Sequence, residues 1–149
     1  MEVWYFAYGV NLDKEVMRRR VGEWIEAKRA ILRNYELRFN TYSPTWRGGT
    51  ASIVEKEGAV VYGVAYLISE EQMKALDKHV GVPNRYSRIK VKVETEDGDE
   101  LPAMTHVSNN PKYHIHPSQQ YLASLLRGLK QHGYQEEVIK TVKKVAGIE

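Results

Sequence analysis

The stretch YFAYGVNL, Tyr5 to Leu12, starts as an aromatic, apolar run and breaks at a glycine. The residues leading into it, Met1 to Tyr8, predict a strand that ends at Gly9. A glycine at that point admits unusual backbone angles and lets a guest approach the main chain closely. Successive amides in such a turn, just ahead of a helix N-terminus, form a concavity that suits a carboxylate, an oxyanion or a phosphate. A plain strand-to-helix turn with Asn11 as its cap accounts for the same residues, and from spacing alone it is the stronger reading.

Downstream, Asp13 to Val21 predicts a short helix with Gly22 just past its end. Arg29 to Asn40 alternates loosely and reads as a strand. Tyr42 to Gly49 (YSPTWRGG) reads as a loop by its Pro and Gly content. Thr50–Val54 and Ala59–Ile68 read as strands on either side of a turn near Gly58. Ser69 to Val80 is the best-defined helix. Ser69 and Gln72 make a capping-box pattern, and Met73, Leu76 and Val80 share one face. Arg88 to Thr95 alternates strictly and predicts a half-buried strand. A turn at Asp97-Gly98 leads to a return strand over Ala103–Val107. Helices follow over Pro117–Gly133 and Gln135–Ala146, each with an apolar stripe. Strands fill the first two thirds and helices the end. The expected class is therefore α+β: a curved or barrel-like sheet with helices packed outside.

A chain of 149 residues fits one domain with a sizeable core. The sequence contains no cysteine, which removes disulfides, thiolate metal sites and a cysteine nucleophile. No stretch approaches the roughly 20 apolar residues of a membrane span, and the N-terminus lacks the basic start of a signal peptide. A cytoplasmic location without membrane attachment is the expectation. The net charge is +3, with both signs mixed along the chain. Arg18, Arg19 and Arg20 form the densest basic cluster, and Lys143 and Lys144 a second. Both read as solvated helix faces rather than a nucleic-acid footprint.

Several blocks resemble the gamma-glutamylcyclotransferase (AIG2-like) family. YFAYGVNL is similar to its N-terminal signature, which normally reads Tyr-Gly-Ser-Asn. Thr45-Trp46-Arg47-Gly48-Gly49 is similar to its Trp-x-Gly-Gly segment. Val61-Tyr62-Gly63-Val64-Ala65-Tyr66 resembles its central Gly-Val strand. Leu76-Asp77-Lys78-His79-Val80-Gly81-Val82, with Tyr86 after it, resembles its Leu-Asp-x-x-Glu-Gly-x segment. Pro117-Ser118-Gln119-Gln120-Tyr121 resembles its Pro-Ser-x-x-Tyr. The blocks run in the family's order and cover nearly the whole chain. They imply a gamma-glutamylcyclotransferase-like mixed β-barrel, over residues 1–149, with helices outside.

The resemblance implies an intramolecular cyclisation. The free α-amine of a gamma-glutamyl compound attacks its own side-chain carbonyl, giving 5-oxoproline and a released amine. Such a reaction needs a base for the attacking ammonium, an acid for the leaving amine and donors for the oxyanion. It implies no cofactor and no metal. It places Tyr8, Gly9, Val10, Asn11, Leu12, Tyr86 and Tyr121 around a pocket for a gamma-glutamyl or other carboxylate-bearing small molecule. A homodimer is kept as an option for its assembly.

Two positions depart from the pattern. Val80 stands where the family has its acid/base glutamate, with the register fixed by Leu76-Asp77 before it and Gly81 after it. Valine exchanges no proton, and losing a general acid/base costs about 10²- to 10⁴-fold in rate. Val10 replaces the serine of the signature. Asp77, one turn before Val80, is a weak substitute base. His79 is expected to point about 100° away from Val80 and miss the pocket. The leading expectation is thus a pocket impaired in 5-oxoproline formation. The alternative is an active cyclotransferase with a different base. Read without the family, Val80 simply completes an apolar stripe with Met73 and Leu76.

Two further groupings read blandly. His114 and His116, with His106 earlier, could be two histidines on one face of a strand, a spacing that can ligate zinc. No third ligand is apparent, and the His114–His116 segment is a Pro- and Asn-rich stretch, so exposed loop histidines are the expectation. Tyr42, Trp46, Tyr113 and Tyr121 offer stacking surfaces. No basic run interleaves them, so they read as pocket walls and core.

Overall fold

The structure is a computed structural model that describes residues 1–148. Five strands close into a barrel in the order β1-β3-β2-β4-β5. These are β1 (Glu2–Ala7), β2 (Glu26–Ser43), β3 (Gly48–Ser69), β4 (Tyr86–Thr95) and β5 (Glu100–Ser108). Neighbours run antiparallel except at the closure, where β1 meets β5 in parallel with Tyr5 opposite Met104. The helices α1 (Lys14–Val21), α2 (Glu70–Val80), α3 (Gln119–Gln131) and α4 (Glu136–Ala146) complete the fold, with a single 3₁₀ turn over Val10–Leu12. The expected α+β barrel is what the chain forms.

β2 and β3 are longer than their periodicity indicates, because they make one long antiparallel ribbon. Its far end is irregular: the register shifts between Arg33 and Tyr35, and again between Phe39 and Thr41. Gly58 takes φ +83° and Asn34 φ +67°, and the Asn34 side chain accepts from the Gly58 amide at 3.0 Å. The turn foreseen near Gly58 is thus a bulge inside β3, not a boundary between two strands. The expected loop at Tyr42–Gly49 also shrinks. Tyr42 pairs with Gly49 and Ser43 with Gly48, leaving only Pro44 to Arg47 unpaired. The two glycines serve close approach: a Cβ on Gly49 would lie 2.0 Å from the Ile115 carbonyl oxygen, where the chain crosses the ribbon.

The barrel interior and the helix undersides form one core, with Phe6, Leu12, Met17, Phe39, Tyr66, Met73, Leu76 and Leu125 fully buried. α2 begins with the expected capping box: Ser69 Oγ accepts from the Gln72 amide at 3.0 Å, and Gln72 Oε1 accepts from the Ser69 amide at 2.9 Å. It ends at Gly81 in the left-handed region, φ +95°. That cap aims the last turn of α2, with His79 and Val80, at the end of the barrel where β1 stops.

Candidate functional site

At that end the chain leaves β1 and turns at once. Leu12 N–H donates to the Gly9 carbonyl and Asp13 N–H to that of Val10, both at 3.0 Å. The bonds begin at Leu12, so the amides of Val10 and Asn11 have no partner within the turn. Gly9 has φ −115°, so it is not needed for a left-handed backbone. Space requires it: a Cβ there would stand 3.0 Å from the Tyr121 hydroxyl.

The turn forms one wall of a cavity. Tyr5, Tyr8, Gly9, Val10 and Asn11 line one side, with Arg20 of α1. Ser43, Thr45, Trp46, Thr50 and Ala51 contribute from the β2–β3 turn. His79, Val80, Arg85 and Tyr86 come from the end of α2 and the start of β4, His106 from β5 and Tyr121 from α3. Of the residues singled out by sequence, Tyr8, Gly9, Val10, Asn11, Tyr86 and Tyr121 meet here around Val80. Leu12 does not: it is 0% exposed in the core, and its carbonyl accepts from the Tyr66 hydroxyl at 3.3 Å. His79, expected to point away, lines the cavity after all. Because α2 ends there, adjacent positions of its last turn both reach the rim.

Hydrogen bonds fix the polar groups. Asn11 Nδ2 donates to the Tyr5 hydroxyl at 3.0 Å, and Arg20 Nη1 donates to Asn11 Oδ1 at 3.0 Å. One amide side chain thereby orients both a phenol and a guanidinium. The Ala51 amide donates to the Tyr121 hydroxyl at 2.9 Å. The Tyr5 and Tyr121 oxygens accept in these bonds, so each keeps its own proton to donate. Tyr86 donates to the Ala51 carbonyl at 3.0 Å and touches Thr50 Oγ1. Tyr8 donates to the His106 carbonyl at 2.6 Å. Burial pushes the Tyr5 phenol up to about 12 and raises Tyr8, Tyr86 and Tyr121 as well. All four are neutral at neutral pH; Tyr8 and Tyr86 spend their protons on main-chain carbonyls, and Tyr5 and Tyr121 keep theirs to donate. Burial lowers the Arg20 pKa, yet a guanidinium keeps its charge in proteins. The cavity therefore offers two guanidinium groups, Arg20 held by Asn11 and Arg85 bonded to the Tyr42 carbonyl, among neutral phenols.

Arg20 and His106 escaped the sequence reading. The Arg18–Arg20 run reads as a solvated face, yet α1 turns Arg20 inward while Arg18 and Arg19 stay exposed. His106 sits within β5 at 3% exposure, although its residue type alone suggests a solvated position. The signal for it was its place in the Ala103–Val107 strand. His114 and His116 are indeed exposed, and among the described residues no cluster of three metal-ligating side chains forms. Asp77 does not line the cavity. It accepts from Arg88 Nε at 3.1 Å and lies 2.8 Å from His106 Nε2. Burial opposes its ionisation, but the bonds from Arg88 and His106 prevail and hold its carboxyl below the ordinary aspartate range.

The family model for gamma-glutamyl cyclotransferase, AIG2-like proteins matches residues 5–123. The chain belongs to that family. It is 32% identical to a gamma-glutamylcyclotransferase of Bos taurus over 146 residues, covering 95% of this chain and 77% of that protein. Against the gamma-glutamylcyclotransferase of Homo sapiens it is 33% identical over 143 residues, covering 90% and 76%. A solved structure described as gamma-glutamyl cyclotransferase superposes with a TM-score of 0.90 at 31% identity, covering all of this chain and 89% of the other. The AIG2-like matched span takes in the turn at Gly9, both ends of the β2–β3 ribbon, α2 and Tyr121. Every residue that lines the cavity thus falls within the matched span. Among the described residues no helix is long and apolar enough to cross a membrane.

Proposed function

We propose that the cavity binds small molecules carrying a gamma-glutamyl group or a similar carboxylate, and that Val80 slows the 5-oxoproline-forming reaction. The observation that carries this reading is the Arg20 guanidinium, held by Asn11 at the edge of a tyrosine-lined cavity. A guanidinium with a fixed orientation meets a carboxylate through two parallel N–H donors. The unpaired amides of Val10 and Asn11 and the Tyr121 hydroxyl supply neutral donors for the rest of the ligand or for an oxyanion.

Val80 brings no exchangeable proton to the wall it shares with His79. The resemblance of Leu76-Asp77 to Gly81 to the family's Leu-Asp-x-x-Glu-Gly segment supports reading it at the acid/base position. Asp77 is a poor replacement. Its carboxyl is tied to Arg88 and His106, so it is a weak base held outside the cavity lining.

The test is 5-oxoproline release from a gamma-glutamyl dipeptide by the wild type and by Val80→Glu, alongside dipeptide binding by calorimetry. Wild type should bind and turn over slowly, and Val80→Glu should raise the rate by about 10²-fold or more. Wild-type turnover undiminished beside its active relatives removes the claim about Val80. Absence of binding removes the pocket reading.

A further inference from the structure

We propose that His106, oriented by Asp77, is the general base that replaces the missing glutamate in this cavity; this rests on the gamma-glutamyl reading above. His106 lines the same cavity as Val80 but enters from β5 rather than α2. Its Nε2 lies 2.8 Å from Asp77 Oδ1. Arg88 holds the other carboxylate oxygen, so Asp77 is ionised and can only accept. The proton of the neutral imidazole is therefore on Nε2. That leaves Nδ1 with a bare lone pair, and it is buried with no hydrogen-bond partner. Buried acceptors are almost always satisfied, and an orphan calls for an explanation. An ammonium donor from a guest is one that fits the chemistry.

An aspartate behind a histidine fixes the tautomer and stabilises the imidazolium once it forms. Here it works in a setting where burial favours the neutral ring, against the pull of Asp77. A neutral ring is ready to accept a proton. Protein atoms cover Nδ1, so proton transfer at it requires the His106 ring to shift as a ligand seats. Catalytic hydrogen bonds commonly tighten only in the loaded complex.

The proton balance closes with one base. Nδ1 takes a proton from the α-ammonium of the gamma-glutamyl group. The freed amine lone pair attacks the γ-carbonyl carbon, the new C–N bond forms, and the carbonyl pair moves onto oxygen. The imidazolium then gives its proton to the leaving nitrogen, the carbonyl re-forms, and the old C–N bond breaks. The ring nitrogen of the product sheds its extra proton through His106 to the departing amine. The lactam keeps one hydrogen on nitrogen, and the amine leaves as an ammonium.

The test uses the full chain with gamma-glutamylglycine. Wild type should release 5-oxoproline slowly. His106→Leu should lose at least about 10²-fold in rate with an unchanged Kd, and Val80→Glu introduced into His106→Leu should restore turnover. In wild type, ¹⁵N spectra should show Nδ1 unprotonated and shifted on saturation with the dipeptide, a readout that needs no variant to fold. Wild-type turnover in His106→Leu, or an Nδ1 signal unmoved at saturation, overturns the proposal. Binding without any 5-oxoproline release overturns it while the pocket reading stands. Absence of binding overturns both.

Discussion

Arg20 shows how one residue's role depends on where its helix points it. Three consecutive arginines cannot share a face, because each step turns the helix by about 100°. Arg18 pairs with Glu23 at 2.7 Å in solvent, whereas Arg20 is drawn inward to Asn11. Removing it takes away the guanidinium that Asn11 orients and leaves Arg85 as the other cation of the lining. Arg20→Ala should weaken a carboxylate ligand by about 1.5–3 kcal/mol, the worth of a hydrogen bond to a charged group. Arg20→Lys should recover only part of this, since an ammonium cannot present the paired donors. Calorimetry on both variants decides it; equal affinity in Arg20→Ala would show that the carboxylate sits elsewhere. The residue letters alone do not distinguish Arg20 from Arg19, because the angle at which α1 packs is fixed by distant contacts. Asn11, Tyr86 and Tyr121 were legible only through order and motif. His106 is legible as a strand residue, but its residue type says nothing of its burial.

At the scale of elements, local signals were the most readable. The Ser69–Gln72 cap and the apolar stripes of α2, α3 and α4 follow from short-range rules, and all three helices form. The β2–β3 ribbon was harder. Its continuity depends on partners tens of residues away, and the Gly58 signal is as good for a bulge as for a turn. Gly128 was also silent. It interrupts the α3 pattern at a cost near 1 kcal/mol relative to alanine, and the structure shows why it stays. A Cβ there would lie 2.3 Å from the Leu12 carbonyl carbon and 2.5 Å from the Asp13 nitrogen. α3 thus packs its backbone onto the turn that forms the cavity wall. Gly128→Ala should force the two apart and destabilise the fold by about 1–3 kcal/mol, the usual cost of overpacking. It should also weaken dipeptide binding, because the displaced turn carries Gly9 to Asn11. Urea midpoints and calorimetry check the two effects together. A stabilised variant, as propensity alone demands, would mean that α3 does not press on the turn.

For the whole molecule, the buried histidines set how stability responds to acid. Burial lowers the pKa of both His106 and His132, with Lys14 adding to the effect at His132. For His132 the value falls from 6.5 to about 4. Its Nε2 lies 3.1 Å from both the Leu12 carbonyl oxygen and the Tyr66 hydroxyl, behind the turn that ends β1. As pH drops below about 6.5 the unfolded chain takes up these protons while the folded chain resists. Stability is then lost as pH falls, because the unfolded state binds more protons. Asp77 acts with the same sign at lower pH, since its carboxyl is held below the ordinary aspartate range by Arg88 and His106 despite its burial. Its contribution is present above the usual aspartate pKa and goes as pH descends past it. Urea midpoints measured from pH 8 to pH 4.5 should therefore hold steady near neutrality and fall below about 6.5. His132→Gln keeps a polar group beside Leu12 but cannot titrate, so it should flatten part of that fall and leave the His106 part in place. A midpoint constant from pH 7 to pH 5 in the wild type would mean that both imidazoles titrate as they do in water. Burial and the pull of Asp77 would then cancel at His106, leaving no net preference for the neutral ring.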